Sequence, residues 1–514
     1  MQIMKKILIT IVTGLALMGF VSCQDWLDET KYTYSISSEL FYNTPNEASS
    51  AVIAVLDQMR SAHNSNWFAA LEINTEHIYP KGVYQNSGDY KGITNTTHLN
   101  RCGSNFQNLY RAIMRCNTPL SRLPEASGMT DQQKKEYMAE FYFLRAFCYF
   151  NLVRTFGSIP LRTVDNMYTW DIPKSSVADV YALIEADLQY AVENCPDKAR
   201  YYDTPCKLSA KALYANVLMY TGKYADAKKM AKDVIDSGAY SLVQVTSGDE
   251  FAQKVFGEGL TTSTEEVFYL KTSMTDSKTW DYLSYTAHPQ YKYDGVNTVC
   301  KTGYYTHYTD LDNPVIKNWS EDDLRRDLNI AHYAFSATTY GENTCLLLKY
   351  RAPNASGSKA QIDIPLIRYT DVLLTYAEAC ARTNDYTNAV EALNQIKRRA
   401  YGKNPMVADP TIDYKASDYT NYDDFFYGPL LTEERYETFN EAKHWFFEER
   451  HGKWEELVQA NYRVACPWPR TKPESIGQEI TIAEMCHLWK IPAEEFNYNK
   501  ALDEARDQNP GYAN

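Results

Sequence analysis

Residues 208–221 read LSAKALYANVLMYT, followed by GKYADA at 222–227 and an apolar-periodic run to Ile235. The same order returns at 366–382, LIRYTDVLLTYAEACAR, followed by Asn384-Asp385-Tyr386-Thr387-Asn388-Ala389 and a run ending near Arg399. Apolar residues at steps of three and four make each copy a helix, a tight turn and an antiparallel return helix. The turns align as G-x-Y-x-x-A and N-x-Y-x-x-A. Gly or Asn accepts the left-handed backbone that ends a helix, and alanine lets two helices approach closely. With the small residues Ala212, Ala215, Ala377 and Ala379 in the first helices, this is a tetratricopeptide-like pattern. Two copies so far apart predict a mainly α scaffold with long loop-rich insertions, not a continuous array.

Working outward, residues 132–153 (QQKKEYMAEFYFLRAFCYFNLV) carry a stripe of Tyr137, Phe141, Leu144, Cys148 and Leu152. Phe156-Gly157 and Pro160 end that helix. A further helix is predicted over Val177–Val192, capped by Ser175 or Ser176. Between the repeats, 240–360 is rich in Tyr, Thr, Asn, Asp and Gly, and helical periodicity returns only near Ser320–Leu328. Residues 60–105 read the same way. Long loops within a compact domain are functional or disordered, and the aromatic content here argues against disorder.

The N-terminal region reads as a secretory signal. Lys5 and Lys6 precede an apolar run, Ile7 to Phe20, too short to span a bilayer, and Val21-Ser22-Cys23 closes it. This is the form of a bacterial lipoprotein signal, with Cys23 lipidated, although Phe20 stands where Leu, Val or Ile is usual. Two or more acyl chains would hold the chain stably at a membrane. No later segment is apolar enough to cross one. A net charge of -13 argues against a nucleic-acid partner. The eleven cysteines show no CxxC pair, so a cysteine zinc site is not expected. Cys148 and Cys380 read as buried small hydrophobes.

Several blocks resemble the SusD/RagB family, the nutrient-binding lipoproteins of Bacteroidetes. Glu140-Phe141-Tyr142-Phe143-Leu144-Arg145-Ala146, Tyr149-Phe150 and Gly157-Ser158-Ile159-Pro160-Leu161 look like its E-x-x-F-L-R-A … Y-F … G-x-x-P-L segment. Arg368-Tyr369-Thr370-Asp371-Val372-Leu373-Leu374 and Tyr376-Ala377-Glu378-Ala379 match R-x-x-D-V-L-L-x-Y-A-E-A, and Gln508-Asn509-Pro510-Gly511-Tyr512 fits its C-terminus. One block departs: Glu449-Arg450-His451-Gly452 to Leu457 keeps only an echo of E-R … E-G-x-R-x-x-D-L. The acidic residues Asp25, Asp28 and Glu29 resemble the family's surface-export signal. The resemblance implies a signal peptide at 1–22 and regions 23–240 and 241–514 forming one compact helical unit. It also implies no catalytic machinery, an outer-membrane location facing the exterior, and a SusC-like TonB-dependent transporter as partner. Ligand capture would fall to aromatic side chains on the loop-rich face.

The residues carry no HExxH, G-x-S-x-G or phosphate-binding loop. His444-x-x-x-Glu448 and His451 read as a solvated helix face, and Asp310-x-Asp312 as a turn rather than a calcium site. Tyrosine outnumbers phenylalanine 42 to 19, so much aromatic surface carries a polar tip. Such rings cover the apolar face of a sugar while Asn, Asp or Arg binds its hydroxyl rim. The predicted platform therefore comprises Trp67, Tyr84 and Tyr90 from the first loop region. Trp280, Tyr282, Tyr285, Tyr291, Tyr293, Tyr304, Tyr305 and Trp319 join them from the second, with Asn86, Asp89 and Asp294 as rim contacts. An oligosaccharide or polysaccharide ligand is expected, with peptide or glycopeptide as the second reading. Neither metal nor cofactor is expected.

Overall fold

The computed structural model describes residues 41–88, 90–92, 96–465 and 484–512. Helix α1 (Pro45–Ala62) begins at a reciprocal cap: the Thr44 hydroxyl accepts the Glu47 amide, and the Glu47 carboxylate accepts the Thr44 amide. Asn64 caps α2 (Ser65–Glu72). Then come α3 (Thr96–Arg122), α4 (Asp131–Phe156), α5 (Val177–Asn194), α6 (Lys207–Tyr220) and α7 (Tyr224–Asp236). The long middle of α4 buries residues on every side, which makes it the central helix, packed between α3 and α5. Arg145 of α4 joins all three: it donates to Asp187 of α5 at 2.7 and 2.8 Å and to Asn117 of α3 at 2.7 Å.

The second repeat forms α8 (Tyr369–Arg382) and α9 (Tyr386–Ala400). Helix α8 packs directly against α7, so the pairs are distant in sequence and adjacent in space, and the array from α4 to α9 is continuous. Both turns take the predicted left-handed residue, Gly222 at φ +72° and Asn384 at φ +59°.

Short strands occupy the connections: β1 (Tyr79–Pro80), β2 (Ile159–Pro160), β3 (Lys174–Ser175), β4 (Glu266–Leu270), β5 (His307–Asp310), β6 (Ile330–His332), β7 (Thr344–Leu347) and β8 (Ile364–Arg368). One sheet runs in the order β1-β5-β7-β6, and β4 pairs with β8, both antiparallel. Two expectations are corrected here. Residues 366–368 extend β8 instead of opening a helix, because β4 offers them a ladder partner, with Glu266 opposite Arg368. Region 60–105 is not all loop: α2 and the start of α3 lie in it, and α2 buries Trp67, Phe68, Ala69, Ala70 and Leu71.

The chain returns through α10 (Leu431–Thr438), α11 (His444–His451), α12 (Trp454–Ala465) and α13 (Ala493–Tyr498). Buried ion pairs fasten this return to the array. Arg368 lies 3.1, 3.0 and 2.7 Å from Glu265, Glu437 and Glu441, and Arg399 meets Glu265 and Glu437 at 2.6 Å each. Arg325 pairs with Asp323 and Glu433, and Lys349 with Glu441. Three of the carboxylates that answer these cations, Glu433, Glu437 and Glu441, stand four residues apart. Cys148 and Cys380 are free and buried, as small core side chains. Asp310 closes a turn as expected, its carboxylate accepting the Asp312 amide at 2.8 Å.

Candidate ligand-binding surfaces

Six of the predicted platform rings lie in the core: Trp67, Tyr84, Tyr90, Trp280, Tyr282 and Trp319 are each no more than 3% exposed. Trp280 stands edge-on to Phe68 at 4.8 Å and Tyr350 at 5.0 Å, and Trp319 stacks on Tyr436 at 4.2 Å. Trp67 meets Trp489 at 5.4 Å, and the Tyr90 hydroxyl donates to the Thr75 carbonyl at 3.0 Å. These rings have no free face for a ligand. They hold the insertions to the scaffold, a task that large apolar side chains perform in segments without helical periodicity. Asp89, Cys23 and the side chain of Asn86 lie outside the described residues.

The other predicted residues lie nearer the surface. Tyr304 is 57% exposed, and Tyr285, Tyr291, Tyr293 and Tyr305 are half-buried. Lys81 places its ammonium 3.7 Å from the Tyr305 ring centroid, and burial pushes its pKa down to about 8. His288 lies 4.4 Å from Tyr305 and 4.9 Å from Tyr333, which leads on to Tyr291 at 5.3 Å. Asp294 is exposed, but its carboxylate accepts the amides of Val296 and Asn297 at 2.8 and 2.6 Å. It stabilises its own turn, and the Asn297 amide holds its pKa low.

A second surface was not anticipated. Between α3, the loop after β2 and α13 lies a cleft of about 900 Å³. Three aromatic rings stand at its rim: Tyr168 is 74% exposed, Trp170 76% and Tyr498 72%. Phe106, Tyr110, Met114 and Met167 line its apolar wall, and Arg111, Arg115 and Glu494 add charge. The rim is braced. Arg162 donates to the carbonyls of Thr169 and Trp170 at 2.8 and 3.2 Å, and Asn499 exchanges hydrogen bonds with the Ile172 backbone at 3.0 and 2.7 Å. The available sequence signal was Tyr168-Thr169-Trp170, aromatic residues in a connection lacking helical period and followed by Pro173.

The solvated-face reading of His444 and Glu448 is overturned. They are 1% and 0% exposed, because α11 packs its first turns into the molecule. His451 is half-buried, with its ring 2.9 Å from Glu378 and 2.8 Å from the Tyr422 hydroxyl.

Residues 25–219 match a SusD-like family model described as starch-binding and associating with the outer membrane, and residues 263–512 match the SusD family model. The chain belongs to the SusD/RagB family. SusD-like protein P38 of Formosa agariphila is 26% identical over 501 residues, covering 91% of this chain and 94% of that protein. SusD-like protein P2 of the same organism is 26% identical and covers 77% of this chain and 82% of its own length. The fold is shared with a solved SusD homolog from Bacteroides thetaiotaomicron, with a TM-score of 0.74 at 21% identity, over 94% of this chain and 99% of that one. It is also similar to surface glycan-binding protein A from Bacteroides fluxus, with a TM-score of 0.70 at 18% identity, over 91% and 100% of the two chains. Among the described residues of this SusD/RagB chain, no helix is long and apolar enough to cross a membrane.

Proposed function

We propose that this SusD/RagB chain is a non-catalytic surface protein that binds oligosaccharides and delivers them to a SusC-like TonB-dependent transporter, held at the outer membrane by a lipid on Cys23. The observation that carries the ligand class is the braced cleft with Tyr168, Trp170 and Tyr498 at its rim. Its volume falls within the roughly 300–1,000 Å³ of small-molecule sites, and exposed amphipathic rings suit the apolar faces of sugars. The names of two structurally similar proteins, one laminarin-binding and one surface glycan-binding, agree with that class. The Tyr304–Tyr305 surface is a second place for the same ligand, favoured by its half-exposed rings and Lys81. A peptide would instead call for a groove with free backbone partners.

The test joins a glycan array with calorimetry on Trp170→Ala, Tyr498→Ala and Tyr304→Ala. A stacking ring that contributes about 2 kcal/mol should weaken binding roughly thirtyfold on removal, with melting unchanged. Loss in Trp170→Ala and Tyr498→Ala places the ligand in the cleft, and loss in Tyr304→Ala alone moves it to the loop surface. A folded parent that binds no glycan on the array would overturn the proposal.

A further inference from the structure

Two histidines and two glutamates converge in the interior, away from both surfaces described above. Glu76 and His77 lie in the turn before β1, and His444 and Glu448 stand one turn apart on α11. An i,i+4 pair on a helix presents both side chains to one side. All four are between 0 and 1% exposed.

Glu76, His77 and His444 each bring a ligand atom within 4.8 Å of the other two, as around a small ion, and Glu448 stands beside His444. Glu76 Oε2 lies 3.3 Å from His77 Nδ1 and 3.4 Å from His444 Nε2, while His444 Nε2 lies 3.2 Å from Glu448 Oε1. Zinc holds nitrogen and oxygen at about 2.0–2.1 Å, so a tetrahedron around it has edges of about 3.3–3.4 Å. The atoms are also unused. Both oxygens of Glu76 and of Glu448, both ring nitrogens of His77 and Nε2 of His444 lack any hydrogen-bond partner. Apart from the Glu76 oxygen that faces Arg435, these buried polar atoms are costly unless something binds them.

The surroundings fit as well. His444 turns its other nitrogen, Nδ1, to the Glu434 carboxylate, which also accepts the Thr438 hydroxyl at 2.9 Å. Metal-bound histidines are commonly oriented in this way by a carboxylate. Arg435 lies 2.7 Å from the second oxygen of Glu76. With neutral imidazoles, the three carboxylates outnumber this one guanidinium by two charges, the charge of a divalent cation. Protonation of His444 alone would leave both nitrogens of His77 unpaired.

We infer that Glu76, His77 and His444 form a structural zinc site, which Glu448, beside His444, would close as the fourth ligand. A site with four protein ligands leaves no position for a substrate, so the ion is a brace and not a catalyst. It would tie the turn before β1 to α11 across most of the sequence.

The experiment is elemental analysis of the whole purified protein, with melting curves before and after chelation. We expect stoichiometric zinc and a melting temperature that falls on stripping and recovers with zinc but not magnesium. Replacing the ion with cobalt should give the intense visible bands of a tetrahedral centre with nitrogen and oxygen ligands. His77→Gln and His444→Gln should each abolish stoichiometric zinc. If either fails to fold, the cobalt spectrum of the parent decides. Folded parent protein that neither contains nor takes up zinc, or variants that retain it in full, would overturn the assignment.

Discussion

A tryptophan in a loop says nothing about which way it faces, and Trp280, Trp319 and Trp170 show why. All three sit in segments without helical period, yet the first two are 2% exposed and the third 76%. In a helix the stripe of apolar residues marks the inward side, which is why Cys148 and Cys380 were legible as core. In a connection no such stripe exists, and the facing depends on partners far away: Phe68 and Tyr350 for Trp280, Tyr436 for Trp319. The consequence is measurable. Trp280→Ala should lose about 3–5 kcal/mol of stability, as for large core aromatics, whereas Trp170→Ala should melt like the parent. Denaturant titration of the two variants side by side distinguishes a core ring from a surface ring. Equal midpoints would contradict the packing described for Trp280.

At the scale of elements, the helix pairs were legible because turn, tyrosine and alanine recur together at short range. Strand β8 was not, since its partner β4 lies about a hundred residues earlier and only pairing makes it a strand. The buried network on Arg368 was equally hidden, because its carboxylates come from Glu265 on one side of it in sequence and from Glu437 and Glu441 on the other. Removing one partner leaves charges buried and unanswered, so Arg368→Ala should cost about 3–5 kcal/mol. Equilibrium unfolding checks this; a loss below 1 kcal/mol would mean that the network is not closed as described. The segment 484–512 is fastened differently. His487 sits between Glu449 at 3.0 Å and Glu455 at 2.9 Å, and these carboxylates raise its pKa to about 9. A histidine whose folded pKa exceeds its unfolded value stabilises fully below pH of about 6.5 and loses that contribution as pH rises through about 9. The ring is half exposed, so the effect is modest. The difference in melting temperature between parent and His487→Gln should therefore shrink between pH 6 and pH 10. A constant difference would show that the pair does not hold the proton.

For the whole molecule, the family and the helical scaffold were legible because their motifs are local and ordered along the chain. The cleft was not, since α3, the loop after β2 and α13 meet only on folding. The proposed delivery requires the chain to stay at a transporter. Two means would act together: the lipid on Cys23, which confines diffusion to the membrane plane, and a protein interface with the transporter. Tethering raises the effective concentration of the partner, so the interface can be of ordinary strength and still remain occupied. A lid over a barrel mouth should nonetheless bury more than about 1,000 Å², which is enough to survive purification. Isolation of the native chain from membranes in mild detergent should accordingly recover a TonB-dependent barrel with it. Cys23→Ala should move the chain into the soluble fraction and lower the recovery of the barrel without abolishing association of the purified partners. Wild-type chain that repeatedly emerges alone at low salt would refute the partnership. A Cys23→Ala chain that stays protease-accessible on intact cells, still in the membrane fraction, would refute the anchor while leaving the glycan site standing.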